Sequence, residues 1–234
     1  MRYFFLALLV ITFGAFTTNA MDKGATGLKK NYVKTNISYS TMPSKMSKDY
    51  VRKPRDSMAV GGGVGYIIDD KFKADITVHY RGKYKHSHTF TLEGTPHNAR
   101  HQVTSVAFML NGYFFPKKEF WKNFPPHLKL LDPYVMIGIG MASNDAGKLD
   151  IIGASDSHHV DSRQVRSFAW QIGLGSLLEV NNYAALDAFY RYVDLGITRT
   201  HESVENSTGN CGAIPAITGK FRAHEFALGI NFKF

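Results

Sequence analysis

The last eleven residues, His224-Glu225-Phe226-Ala227-Leu228-Gly229-Ile230-Asn231-Phe232-Lys233-Phe234, alternate with a period of two. From Phe226 onward every second residue is large and apolar. Between them stand Glu225, Ala227, Gly229, Asn231 and Lys233, which are small or polar. Only an extended strand places such residues on opposite faces, because successive side chains of a strand point to opposite sides of its sheet.

The same pattern recurs upstream. Phe168, Trp170, Ile172 and Leu174 oppose Ala169, Gln171, Gly173 and Gly175. Val60, Val64, Tyr66 and Ile68 oppose Ala59, Gly61, Gly63 and Gly65, and Ala74, Ile76, Val78 and Tyr80 oppose Lys73, Asp75, Thr77, His79 and Arg81. Eight such segments are expected, at about 31–40, 57–68, 72–85, 101–114, 133–142, 164–179, 182–195 and 220–234, the first and fourth with the weakest alternation. No sustained helical period separates them; 117–124 is expected to form at most a short helical turn.

The chemistry of the two faces selects the architecture. A soluble barrel turns its greasy face inward and a charged skin outward. Here one face is Phe, Trp, Ile, Leu, Val and Tyr almost throughout, and the other is mostly small or polar. An inside-out barrel accounts for both, with apolar residues toward lipid and small and polar residues toward a narrow lumen. The expected fold is therefore all-β: an eight-stranded, antiparallel, up-and-down transmembrane barrel. Strands of ~9–11 residues suffice to cross the hydrocarbon.

Composition agrees. The chain has 234 residues, a formal net charge of +9, 44% hydrophobic and 20% charged residues, which is too apolar for disorder. Residues 1–20 place Arg2 before an apolar run from Tyr3 to Phe16 and close with Thr18-Asn19-Ala20, the layout of a secretory signal peptide. Its removal would leave 21–234 as the barrel domain, beginning at Met21, with net charge +8. One cysteine, Cys211, excludes an intramolecular disulfide framework.

With both ends on the periplasmic side, the long gaps 41–56, 86–100, 143–163 and 196–219 become the outer loops, and 69–71, 115–132 and 180–181 the inner connections. The first outer loop carries Lys45, Lys48, Arg52, Lys53 and Arg55 against Asp49 and Asp56, a net +3, with Tyr50 among them. These six residues are the candidates for binding an acidic glycan, a host surface protein or anionic lipopolysaccharide. Nucleic acid is not an expected partner.

At this point the chain resembles a known group, the opacity-type eight-stranded outer-membrane surface antigens of Gram-negative bacteria. The resemblance rests on Pro133–Gly140, Phe168–Gly175, the Tyr190-Arg191-Tyr192-Val193-Asp194-Leu195-Gly196 stretch and the terminal Gly229–Phe234. It implies an adhesin or variable antigen in the outer membrane, held by outer-membrane lipid. It also implies that the last strand, with Phe226, Phe232 and Phe234, is what the barrel assembly machinery reads. Related small barrels pass small solutes, so a narrow porin-like channel is the alternative. The 115–132 segment departs from a short periplasmic turn.

Alternation turns Asp75, His79, Arg81, Glu179, Asp187, Arg191 and Glu225 into the lumen. Buried charges persist only when paired, so these residues are expected to form a network, with Arg191 bridging Glu225 or Asp187, that plugs the barrel. Histidines such as His86 and His88 have no carboxylate or cysteine at a supporting spacing, so no metal and no cofactor is expected. His86-Ser87-His88 and His201-Glu202-Ser203 hold hydrolase residue types without a recognisable motif, which leaves an outer-membrane lipid hydrolase as a second alternative and no catalytic residue assigned. The run Gly61-Gly62-Gly63-Val64-Gly65 lacks the Lys-Ser/Thr of a phosphate loop and is expected to leave space in a crowded interior.

Overall fold

The computed structural model describes residues 30–42, 56–92, 95–116, 125, 130–147, 149–152, 157–160, 163–199, 203–206, 211–213 and 218–234. Residues 1–20, the six candidates Lys45, Lys48, Tyr50, Arg52, Lys53 and Arg55, and the 117–124 segment lie outside this set.

Eight long strands carry the fold: β1 Asn31–Thr41, β2 Ser57–Ile67, β3 Phe72–Leu92, β4 Thr95–Phe114, β5 Leu131–Ala146, β6 Arg163–Glu179, β7 Ala184–Arg199 and β8 Thr218–Lys233. Each pairs antiparallel with its neighbours in sequence. β1 then pairs with β8 from Tyr32↔Lys233 to Thr41↔His224, which closes the barrel. Among the described residues no helix is long and apolar enough to cross a membrane.

Three outer gaps are less loop-like than the sequence suggests. β3 and β4 stay paired to Leu92↔Thr95, so most of 86–100 is a protruding hairpin. Past β5, Leu149–Ile152 pairs both with β4 at 98–100 and with Ser157–Val160. Ser157–Val160 pairs with Ser203–Asn206, which in turn pairs with Cys211–Ala213. Parts of all three gaps are thus joined in one ribbon beyond the barrel. The alternation signal stops earlier because it reports lipid on one side. Past the lipid no such demand acts on the sequence, while backbone pairing continues.

The outer wall is apolar. Phe168, Ile137, Leu228 and Phe108 are each about 60% exposed or more, as a lipid-facing band requires. At the end where β1 begins and β8 ends, the rings of Phe72 and Phe114 pack at a tilt, 5.4 Å apart, beside the short 69–71 turn. Aromatic rings of this kind suit the membrane–water boundary.

The interior departs from the expected small-and-polar lumen. Arg81, Arg191, Tyr84, Phe221 and Met109 are among the largest fully buried side chains. Glycines make room for three other inward rings. A Cβ on Gly61 would overlap the His79 ring, one on Gly65 the Tyr32 ring, and one on Gly175 the Tyr134 ring. Gly196 has a different role. Its φ of 79° suits a bulge that shifts the β7 register against β8, so that Leu195 points in and Ile197 points out.

The lipid-facing wall makes a quantitative expectation. Ile137→Arg, near the middle of the outward face of β5, should lower folding stability by about 2–4 kcal/mol. Ser143→Arg, near the upper boundary of the same face, should cost about 0–1 kcal/mol. Urea midpoints of both variants folded in lipid vesicles would check the difference.

Candidate functional site: a filled interior under a loop-bearing rim

The centre of the barrel is built from inward positions on β1, β3, β4, β5, β7 and β8. Glu225 of β8 is fully buried between two guanidinium groups. Arg81 Nε donates to its Oε1 at 2.7 Å, and Arg191 Nε donates to its Oε2 at 2.5 Å. Ser40 also donates to Oε1 at 3.0 Å, and the Tyr84 hydroxyl donates to Ser40 at 2.5 Å. Arg191 further lies against His79, its Nη1 3.1 Å from Nε2 and its Nη2 3.2 Å from Nδ1. Charge-assisted bonds of this length are the stronger class, and here all three partners are fully buried.

A second centre lies toward the termini. Asp75 accepts from the hydroxyls of Tyr113 at 2.7 Å and Tyr32 at 3.1 Å, and from Asn111 Nδ2 at 2.6 Å. Lys34 Nζ stands 3.1 Å from Asp75 and 3.9 Å from Asp187. Asp187 accepts from the Tyr134 hydroxyl at 2.7 Å. Gln171 reaches Asn111 at 2.6 Å and extends the network across β6. Among the described residues the buried acids Asp75, Asp187 and Glu225 are matched by Lys34, Arg81 and Arg191. The ionic layer is therefore close to neutral, as burial demands.

Apolar clusters lie on either side of this ionic layer. Tyr84, Val103, Met109, Leu195 and Phe221 cluster on the loop side, and Phe115, Tyr134, Met136, Leu177 and Phe189 on the termini side. A cavity of about 20 Å³ among Tyr32, Lys34, Tyr113, Tyr134, Asp187 and Asn231 remains near the termini, enough for about one water.

Of the seven charged residues expected in the lumen, the structure buries Asp75, His79, Arg81, Asp187, Arg191 and Glu225. Glu179 is a correction. It has the right parity but sits at the end of β6, 48% exposed and ion-paired with Lys233, because the strand ends at the rim. Arg191 meets Glu225, while Asp187 turns to Tyr134 and Lys34. Lys34, Tyr32, Tyr113 and Tyr134 escape a search for charge pairs by strand alternation. The available signal was the polar face Lys34, Asn36, Ser38 and Ser40 of β1. Among the described residues no group of three or more His, Cys, Asp or Glu side chains could hold a metal. The side chains of His86, Ser87, His88 and Ser203 lie outside the described set. Phe226 and Phe232 face outward at 58% and 46% exposure, and Phe234 is half-buried.

Removing the shared carboxylate charge tests the plug. Glu225→Gln would leave two guanidinium groups facing each other without a counter-charge, and should destabilise the barrel by about 3–5 kcal/mol. The check is the temperature at which the compact folded band converts to the unfolded one on a gel. A conversion temperature equal to wild type would show that the ion pairs do not hold the interior.

The chain is 28% identical over 187 residues to the outer membrane protein PagN of Salmonella typhimurium, covering 74% of this chain and 72% of PagN. It is 23% identical over 187 residues to a Rickettsia massiliae protein named as a candidate adhesin, covering 77% of this chain and 76% of that one. The crystal structure of Neisserial surface protein A is similar over 91% of this chain and 100% of its own, at a TM-score of 0.49 and 16% identity. A model of the outer membrane protein beta-barrel domain matches residues 5–234, and the chain belongs to that family of outer-membrane barrels.

Proposed function

We propose that the protein is a surface adhesin of the outer membrane, which contacts host or environmental surfaces through the segments beyond its barrel. The observation that carries this is the filled interior: two ionic centres and two apolar clusters occupy the lumen, which makes the barrel a rigid anchor. The outer segments are what remains to meet another molecule, and parts of three of them are joined in a ribbon. The names of the rickettsial relatives support the same assignment. Residues 1–20 act as the export leader, and 21–234 form the mature chain, which the barrel assembly machinery inserts.

The first outer segment supplies the chemistry. Lys45, Lys48, Arg52, Lys53 and Arg55 give it a net +3, suited to a sulfated or carboxylated glycan. Displayed on a surrogate bacterium without adhesins of its own, the protein should bind cultured host cells and an immobilised sulfated glycan. Changing the five cations to Gln should lower that binding about tenfold at physiological salt. Undiminished binding would remove this segment from the contact. The protein is not an enzyme in this assignment; a lipid hydrolase would instead show ester hydrolysis that is lost on Ser87→Ala or Ser203→Ala.

The channel alternative predicts the opposite behaviour of the lumen. In planar bilayers the wild-type barrel should show no steady conductance. A stable conductance altered by Arg191→Ala would overturn the plug and favour a solute pore.

A further inference from the structure

The outward face of β6, β7 and β8 changes character abruptly at the loop end. On β6 the lipid-facing Phe168, 65% exposed, is followed one outward position further by the exposed Arg166. On β8 the outward residues run Phe226, His224, Arg222 and Lys220 toward the loops. The Gly196 bulge turns Ile197 outward opposite Lys220, and Arg199 opposite Thr218. Four cations thus stand on three adjacent strands just above the apolar wall. Facing the same way from the neighbouring positions are two acids, Asp145 and Asp194, and Asp194 pairs with Arg222 at 2.7 Å.

Directly below them lies a continuous row of rings on the same face. Trp170 and Tyr192 are 5.6 Å apart, Tyr192 and His224 5.2 Å, and Tyr190 and Phe226 5.0 Å. The Tyr190 hydroxyl and His224 Nδ1 are 2.6 Å apart and link the row. Rings with polar edges at this depth offer faces to a sugar and edges to its hydroxyls. Cations one step higher offer charge-assisted bonds to phosphate.

We propose that this face is a binding site for a phosphorylated glycolipid of the outer leaflet, the lipid A portion of lipopolysaccharide. The cations hold its phosphates, the aromatic row its sugar, and the apolar wall below its acyl chains. The site is separate from the loops and from the buried ionic layer. It is independent of adhesion and depends only on the loop end facing the outer leaflet, where charge complementarity selects an anionic headgroup.

The test uses the folded mature protein in phosphatidylcholine bicelles, titrated with bisphosphorylated lipid A, dephosphorylated lipid A or phosphatidylglycerol. Bound lipid is counted by native mass spectrometry. Arg166→Gln combined with Lys220→Gln should weaken lipid A capture about tenfold while the folded gel band persists. Dephosphorylated lipid A should bind wild type about as weakly as the double variant binds the intact lipid. Tyr192→Leu should weaken capture of both lipid A forms. Undiminished capture by the double variant would overturn the site. Equal capture of phosphatidylglycerol would also overturn it, reducing the face to a general belt for anionic lipid.

Discussion

Hydrocarbon offers no partner to a backbone N–H or C=O, so a strand that enters it must be paired along its whole length. In this chain the requirement is met by the β1–β8 ladder, which joins Tyr32–Thr41 to His224–Lys233 and removes both sheet edges. Closure at eight strands then fixes the bore, which is wide enough only for side chains. Every interior feature follows from that narrowness. Several inward rings stand where a neighbour gives up its own side chain, as Gly61 does for His79 and Gly175 for Tyr134.

The charges inside obey a second rule that follows from the first. A narrow, filled bore has little room for water, so each ion must find its counter-ion among the strands. Glu225 sits between Arg81 and Arg191, and Asp75 and Asp187 share Lys34 with the tyrosine hydroxyls around them. These partners come from strands far apart in sequence: Arg81 and Glu225 are separated by 144 positions. The ionic layer therefore ties opposite walls together, and such cross-bracing turns a thin cylinder into a rigid support for what lies above it.

Above the membrane the constraint relaxes. Pairing continues into the β3–β4 hairpin and the short strands at 149–152, 157–160, 203–206 and 211–213, but no alternation marks them, since no lipid is there to impose one. At the boundary itself, polar and basic residues replace the lipid-facing row within one or two outward positions. That step, between Phe168 and Arg166 on β6 and between Phe226 and Arg222 on β8, places the headgroup level on the wall.

The period of two and the polarity of its faces were enough to read strand number, inward parity and the outer-membrane barrel, because lipid imposes its pattern one residue at a time. Parity alone turned Asp75, Arg81, Asp187, Arg191 and Glu225 inward. It could not say that Arg191 would choose Glu225 and leave Asp187 to Tyr134, nor bring Lys34 and the tyrosines into the network, because partners across a bore depend on stagger between strands. Parity also placed Glu179 in the lumen, where only the end of the strand puts it at the rim. The apolar residues inside, such as Phe221 and Met109, read like lipid-facing ones until closure sets which side is interior. Local sequence thus determined what each strand faces; tertiary structure decided what each side chain meets, because that meeting is set by the geometry of closing the sheet.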